Sequence, residues 1–124
     1  MSNKQEYLKL GNKAIKGLVK SVSFQEGEFM IIYIPSLNLS SYGKTKEDAV
    51  DMMKSAVLPD FCHSLLNKPK ALVFSELKKL GWNRNMIFEK DLSKNAHIDK
   101  QGILREFDLS EDTEIKEEDF ALVC

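Results

Sequence analysis

The chain has 124 residues, of which 43% are hydrophobic and 30% are charged, and its formal net charge is −1. This length fits one domain, and the composition is unlike that of a disordered chain or a disulfide-rich secreted scaffold. The longest apolar runs span only a few residues, which argues against a membrane-spanning helix or an export signal. We therefore expect a single domain over residues 1–124, located in the cytoplasm.

Residues 1–20 combine positive charge with an ambiguous secondary structure. Apolar residues recur at helical spacing between Tyr7 and Leu18, but two glycines in that stretch weaken a helix. One hypothesis is that the lysines of this segment bind nucleic-acid phosphates: Lys4, Lys9, Lys13, Lys16 and Lys20. The alternatives are a solvated surface, or attraction to acidic residues within the fold or between subunits.

Three extended segments follow and predict a small antiparallel sheet. Residues 18–24 place apolar side chains on one face, and Glu26-Gly27 can form a two-residue hairpin turn into residues 29–34. Residues 37–42 alternate apolar and polar side chains, as a short third strand does. The expected result is a three-stranded antiparallel meander.

The middle segment of this meander is apolar on both faces, which suits a central strand that is covered on both sides. One face is expected to lie under a helix. The other face carries Phe29, Ile31 and Tyr33 and is expected to contact the N-terminal segment or another chain. We therefore treat these three residues as a candidate partner-binding and dimer interface.

A helix is predicted directly after the meander. Pro35 ends the middle strand, Gly43 allows a bend, and Thr45 is placed to cap a helix that contains Asp48 three residues later. An apolar stripe on this helix is expected to lie on the sheet and comprises Ala49, Met52, Met53, Ala56 and Val57. The predicted fold class is accordingly α+β.

Residues 59–124 are predicted to form a helix plus β-hairpin extension. Pro59 should kink the helix or begin a second one, and a further helix should run from Pro69 to a left-handed cap at Gly81. Trp82 is expected to seal the junction after that cap.

Further strands are expected later in this extension. Residues 86–88 are one candidate, and residues 103–109 alternate more clearly. The apolar stretch 120–123 is expected to pair as a last strand.

Residues 111–119 carry six acids and one lysine. Such a run suits a basic protein partner, and the candidate contacts are Glu111, Glu114, Glu117 and Glu118. The alternatives are a solvated surface, or pairing with lysines within the fold or between subunits.

Few side chains qualify for catalysis or metal binding. Cys62 and His97 would act as nucleophile and base only if the fold brought them together. Cys62 and His63 are neighbours on a predicted helix and point about 100° apart, which is awkward for joint metal ligation. We expect no catalytic residue, no metal site and no cofactor.

Short motifs within residues 18–58 resemble the core pattern of the HicB-like antitoxin family: Pro35-Ser36-Leu37, Ser41-Tyr42-Gly43-Lys44-Thr45 and Glu47-Asp48-Ala49. The resemblance implies a β-β-β-α core of RNase-H-like or ferredoxin-like appearance, dimerisation, and tight binding of a small mRNA-cleaving toxin. The chain departs from the family at Ser36, where an acid is usual, and has no DNA-binding tail of the family's kind after Leu58.

A shorter stretch, residues 75–82, is similar to the opening helix of the partner HicA-type toxins. Those toxins carry a catalytic histidine in a Gly-Ser-His setting soon afterwards. Residues 83–94 contain no histidine, so the general base for RNA cleavage is missing from the expected place. We do not expect ribonuclease activity.

The sequence therefore favours a non-enzymatic protein-interaction module that resembles a HicB-type antitoxin. Its expected partners are a small basic protein such as a toxin, and further copies of the chain in a homodimer or higher oligomer. The alternative hypothesis is a nucleic-acid-binding transcriptional regulator that uses the lysines of residues 4–20. No contact with a membrane is expected.

Overall fold

The computed structural model describes residues 5–11, 13–84, 91–95 and 98–124. It has an α+β fold in which helices pack on an antiparallel sheet. The strands are β1 (Gln5–Leu10), β2 (Ile15–Glu26), β3 (Phe29–Ile34), β4 (Leu39–Gly43), β5 (Asn83–Arg84), β6 (Asp91–Asn95) and β7 (Lys116–Val123). The helices are α1 (Lys46–Met52), α2 (Leu58–Leu66), α3 (Lys70–Lys79) and α4 (Lys100–Glu106), and a π-helical turn (Met53–Val57) joins α1 to α2.

The long strand β2 organises the sheet. The order across the sheet is β4-β3-β2-β1-β6-β5, and β7 pairs with β2 from Lys16 to Ser23. β1 pairs with the first part of β2, and β3 pairs with the last part. Because β7 overlaps both stretches, β1 and β3 share the opposite edge of β2, one after the other along the strand.

The predicted meander is confirmed as β2, β3 and β4, and the predicted last strand is confirmed as β7. The hairpin between β2 and β3 has Gly27 and Glu28 as its two loop residues, and Gly27 has a φ of 61°, which glycine adopts at little cost. The segment from Tyr7 to Leu18, whose secondary structure the sequence left open, contributes to β1 and to the start of β2. Its buried residues alternate along each strand, as in a sheet with two different faces.

The capped helix after the meander is also confirmed. Thr45 Oγ1 accepts the N–H of Asp48 at 3.1 Å, and Ala49 and Met53 are fully buried. The helix continues through the π-helical turn, in which the N–H of Leu58 donates to Met53 O. Pro59 has no N–H to donate to the helical hydrogen bonds. The wider π-helical turn lets the helix continue past this residue.

Helix α3 ends in the predicted left-handed cap. Gly81 has a φ of 100°, its N–H donates to Lys78 O at 3.0 Å, and the N–H of Trp82 donates to Leu77 O at 3.0 Å. This is the Schellman pattern of hydrogen bonds. Trp82 is 1% exposed and its Nε1 donates to Ser36 O at 2.9 Å, so it seals the contact between α3 and the loop after β3.

Residues 103–109, predicted as a strand, instead form the end of α4 and its cap. Asp99 Oδ1 accepts the N–H of Gly102 at the start of α4, and Asp108 takes a φ of 53° after its end. Ile103 and Phe107 lie one helical turn apart, so a spacing that satisfied strand alternation also suits a helix. The strand predicted at residues 86–88 lies outside the described residues.

The sheet has a hydrophobic cluster on each face. The larger cluster lies under α1, α2 and α3 and includes Val19, Ile32 and Leu122 of the sheet. The smaller cluster lies on the opposite face, where α4 and the chain after it cover part of β2 and β3. Among the described residues, no helix is long and apolar enough to cross a membrane.

Glu6 joins the two strands that share one edge of β2. This carboxylate is 5% exposed, and its Oε2 accepts the N–H of Lys20 at 2.8 Å and the hydroxyl of Ser36 at 2.6 Å. Lys20 lies in β2 between its stretch paired with β1 and its stretch paired with β3. The buried acid therefore satisfies a backbone donor at the place where neither strand pairs with β2.

Candidate functional site

The face of β3 that was expected to meet another chain is largely covered by this chain. Ile31 and Tyr33 are each 8% exposed, and the ring of Phe107 packs against that of Tyr33 with centroids 5.2 Å apart. Burial, and secondarily the negative charge of Glu106, raises the pKa of the Tyr33 phenol. The cover of Ile31 and Tyr33 thus comes from α4 and the residues after it, whereas the N-terminal segment or another chain was expected from the sequence.

Phe29, the third residue of that set, remains accessible. Phe29 is 39% exposed and Tyr42 is 53% exposed, and their rings meet edge to face with centroids 5.7 Å apart. Tyr42 lies on β4, whose second edge pairs with no strand in the described part of the chain. We call Phe29, Tyr42 and this unpaired edge of β4 the aromatic edge. Exposed aromatic rings beside an open strand edge are typical of surfaces that bind another protein.

The surroundings of the aromatic edge are mainly acidic. Glu26 lies directly opposite Phe29 in the β2–β3 register, and Glu28 precedes Phe29 in the hairpin turn. Asp48 of the first helical turn lies close to Gly43, the last residue of β4. The lysines next to these acids in the chain are Lys44 and Lys46, and Lys46 pairs with Glu118. The local charge therefore favours a basic partner.

Most of the acidic run on β7 is paired with lysines of the chain itself. Asp119 lies 2.6 Å from Lys20 of β2, and Glu118 pairs with Lys46 of α1. Glu117 lies 4.0 Å from Lys100 of α4. Each pair joins β7 to a different element. For Glu117 and Glu118, the structure therefore shows pairing with lysines within the fold, which was the alternative to binding a basic partner.

Glu111 and Glu114 lie in an exposed turn before β7. The hydroxyl of Ser110 donates to Asp112 at 2.5 Å, which lowers the pKa of that carboxyl, and Glu114 lies 4.0 Å from Lys116. Glu114 lines a cleft with Met30, Lys46 and Lys116 at the hairpin end of the sheet, and the side chain of Met30 is on the opposite face of β3 from Phe29. The accessible part of the predicted acidic site therefore lies at the same end of the sheet as the aromatic edge.

The lysines of residues 4–20 lie at the other end of β2. Lys9 and Lys16 are directly opposite each other in the β1–β2 register and both are exposed. Lys13 is exposed in the turn between the two strands, and Lys20 pairs with Asp119. Lys4 lies outside the described residues.

The two cysteines are joined, which sequence reasoning missed. The sulfur atoms of Cys62 and Cys124 are bonded, with Cα atoms 6.0 Å apart, and Cys62 is 1% exposed. They are separated by 62 residues, so only the packing of the chain end against α2 brings them together. A bonded sulfur cannot serve as the thiolate nucleophile.

Among the described residues, no histidine is seen to act as a base toward Cys62. His97 lies outside the described residues, and the exposed His63 ring is hydrogen-bonded to the Asn67 side chain at 2.9 Å. Within the described ranges, no group of three His, Cys, Asp or Glu side chains is placed to hold a metal ion.

Comparison of the chain with protein-family models, with curated proteins and with solved structures finds no match. The order of β2, β3, β4 and α1 is the strand-strand-strand-helix order expected for residues 18–58. Order alone does not identify a family or a function. The resemblance to HicB-like antitoxins therefore stays a prediction.

Proposed function

We propose that this chain is a non-enzymatic protein-interaction module that binds a small basic partner at the aromatic edge. The observation that carries this proposal is the exposed contact between Phe29 and Tyr42 beside the unpaired edge of β4. An antitoxin of the HicB type, acting on a small toxin in the cytoplasm, is one module of this kind.

Two kinds of contact support binding at this edge. Aromatic side chains are enriched among the few residues that supply most of the binding free energy of protein interfaces. The free N–H and C=O groups of an open strand edge can bind an extended segment of the partner by strand addition. The aromatic edge offers both, since the ring of Phe29 on β3 packs against Tyr42 on β4, the strand with the open edge.

The charges around the aromatic edge support a partner that differs from the chain itself. Glu26 and Glu28 lie beside Phe29, and Glu111 and Glu114 are exposed at the same end of the sheet. Pairing of two copies through this edge would bring acidic groups together, which opposes association. A partner arginine, in contrast, gains both charge attraction and stacking on the exposed rings.

The test compares variants of the full chain carrying an affinity tag in its native cell. We expect a small basic protein to co-purify with the parent and with the Tyr7→Ser control, but not with Phe29→Ser/Tyr42→Ser. Tyr7 is a matched control because it is 44% exposed on a different part of the sheet. Equal recovery with all three would exclude the aromatic edge as the docking surface. A dimer seen by light scattering that only the double variant loses would make a second copy the partner.

The acidic turn gives a second measurement on the same complex. Glu111→Gln/Glu114→Gln should weaken binding and reduce its dependence on salt, because screening acts on the attraction between exposed charges. Glu118→Gln should change the affinity less, since Glu118 already pairs with Lys46 of α1. An unchanged salt dependence in the first variant would remove the electrostatic part of the proposal.

A further inference from the structure

Helix α4 covers only part of one face of the sheet. In the described part of the chain, the other half of that face has no cover. We call it the open half and define it by Tyr7 and Lys9 of β1 and by Lys16 and Leu18 of β2. Tyr7 lies opposite Leu18, and Ala121 and Val123 of β7 continue these rows on the other side of β2. Tyr7 is 44% exposed and Val123 is 72% exposed. The open half is thus an accessible surface with apolar and basic side chains.

The charges of the open half are poorly balanced. Lys9 and Lys16 are directly opposite each other, and like charges in such cross-strand pairs destabilise a sheet. Within the described residues, no ion pair with Lys9, Lys13 or Lys16 occurs. Asp119 of β7 pairs with Lys20, and Asp91 of β6 is opposite Lys9 in the strand register. A bound anion between Lys9 and Lys16 would offset their repulsion.

The arrangement of ring and charge points to one class of polymer. Proteins that bind single strands of nucleic acid combine lysines or arginines that follow the phosphates with aromatic rings on which bases stack. On the open half, the exposed Tyr7 ring lies one row from the Lys9–Lys16 pair, and Lys13 extends the positive charge beyond the end of the sheet. A duplex keeps its bases stacked inside and cannot use the tyrosine in this way.

We propose that the open half binds single-stranded nucleic acid, with Lys9, Lys13 and Lys16 on phosphates and Tyr7 stacked on a base. This surface lies at the end of β2 away from the aromatic edge, so the inference does not depend on the proposed protein partner. An acidic protein would also pair with these lysines, so the test includes displacement by polyglutamate to separate the two classes of ligand.

The test measures binding of the full chain to fluorescent single-stranded oligonucleotides of about 20 nucleotides, by anisotropy at about 50 mM and about 200 mM salt. Lys9→Gln/Lys16→Gln should weaken binding at least about tenfold and reduce the slope of log K against log salt by about 1.4, since each phosphate contact contributes about 0.7. The matched control is Lys78→Gln/Lys79→Gln, which removes two exposed lysines of α3 and should leave both quantities nearly unchanged.

The tyrosine is tested in the same assay. Tyr7→Leu should weaken binding about fivefold or more through lost base stacking, whereas Tyr7→Phe, which keeps the ring, should not. No binding at the lower salt concentration, or equal losses in the lysine variant and its control, would overturn the proposal. Equal affinity for a duplex of the same length, or equal displacement by polyglutamate, would also overturn it, because either shows attraction to charge alone.

Discussion

The two halves of one sheet face differ in what covers them. In the half next to the β2–β3 hairpin, Val22, Phe24, Ile31 and Tyr33 lie under α4 and the residues after it. In the open half, lysines and Tyr7 occupy the equivalent alternating positions and the described chain places nothing over them. The same strand, β2, passes through both halves.

The comparison shows that alternation decides which side chains share a face, whereas side-chain chemistry decides whether that face needs a cover. Without a cover, the aromatic and branched side chains of the first half would leave a large apolar surface in water. A helix that buries them therefore stabilises the fold. Lysines keep their ammonium groups hydrated, and a helix laid over Lys9 and Lys16 would have to desolvate them. The open half therefore stays available for an anionic ligand.

The largest expected effect is in the covered half. Phe24 is 1% exposed and its ring packs against that of Phe107 with centroids 5.0 Å apart. Phe24→Ala should lower the free energy of unfolding by about 3–5 kcal/mol, measured by urea denaturation. Tyr7→Ala in the open half should change it by no more than about 0.5 kcal/mol. Similar losses in both variants would remove the distinction between the halves.

The next effect concerns β7, which pairs with β2 across both halves and whose end is bonded to α2. Cys124→Ser should lower the free energy of unfolding by about 2–4 kcal/mol in non-reducing buffer, because the bond restricts the unfolded chain. Adding a reductant should bring the parent to the level of the variant and leave the variant unchanged.

The same cysteine pair tests the proposed cytoplasmic location. Cytoplasmic thiols are kept reduced, so cells quenched directly in acid and alkylated in denaturant should show Cys62 and Cys124 as labelled thiols. Recovery of the bonded form under those conditions would contradict that location.

A smaller loss is expected at the boundary of the two halves. Glu6→Ala removes the acceptor of the Lys20 N–H and of the Ser36 hydroxyl, and should cost about 1.5–3 kcal/mol in unfolding free energy. Glu6→Gln keeps an acceptor oxygen and should lose less. Hydrogen exchange at the Lys20 amide should become faster in the alanine variant. Unchanged exchange there would show that this hydrogen bond does not hold the boundary.

The smallest effect has the opposite sign. Lys16→Gln relieves the cross-strand repulsion with Lys9 and should raise the unfolding free energy by about 0.2–1 kcal/mol at low salt. Lys9→Gln should then add little in the Lys16→Gln background, because the two changes remove the same repulsion. A loss of stability in Lys16→Gln would contradict a repulsive pair.

Several local structures could be predicted from the sequence because a few adjacent residues determine them. The hairpin glycine, the threonine cap before α1 and the Gly81 cap after α3 each depend on contacts within a few residues. The candidate sites were harder to predict. Phe29 was identified as accessible for a partner, but the contribution of Tyr42 required the β3–β4 register, which places the two rings in contact.

The errors arose where two structures share one pattern. Residues 103–109 satisfy both strand alternation and helical spacing. The structure has a helix there, with Asp99 capping its start and Asp108 in a left-handed conformation after its end. The acidic run and the lysines were recognised as charged segments. Their pairing, as in Lys20 with Asp119, depends on β7 lying beside β2, and no local pattern predicts that.

The amino-acid sequence by itself determined the α+β class, the meander and the capped helix, because hydrophobic period, turn glycines and caps act over short distances. Only the tertiary structure decided which apolar face is covered, which charges are neutralised, and that Cys62 meets Cys124. These outcomes depend on contacts between residues far apart in the chain, where the free energy of packing selects among arrangements that local patterns leave equivalent.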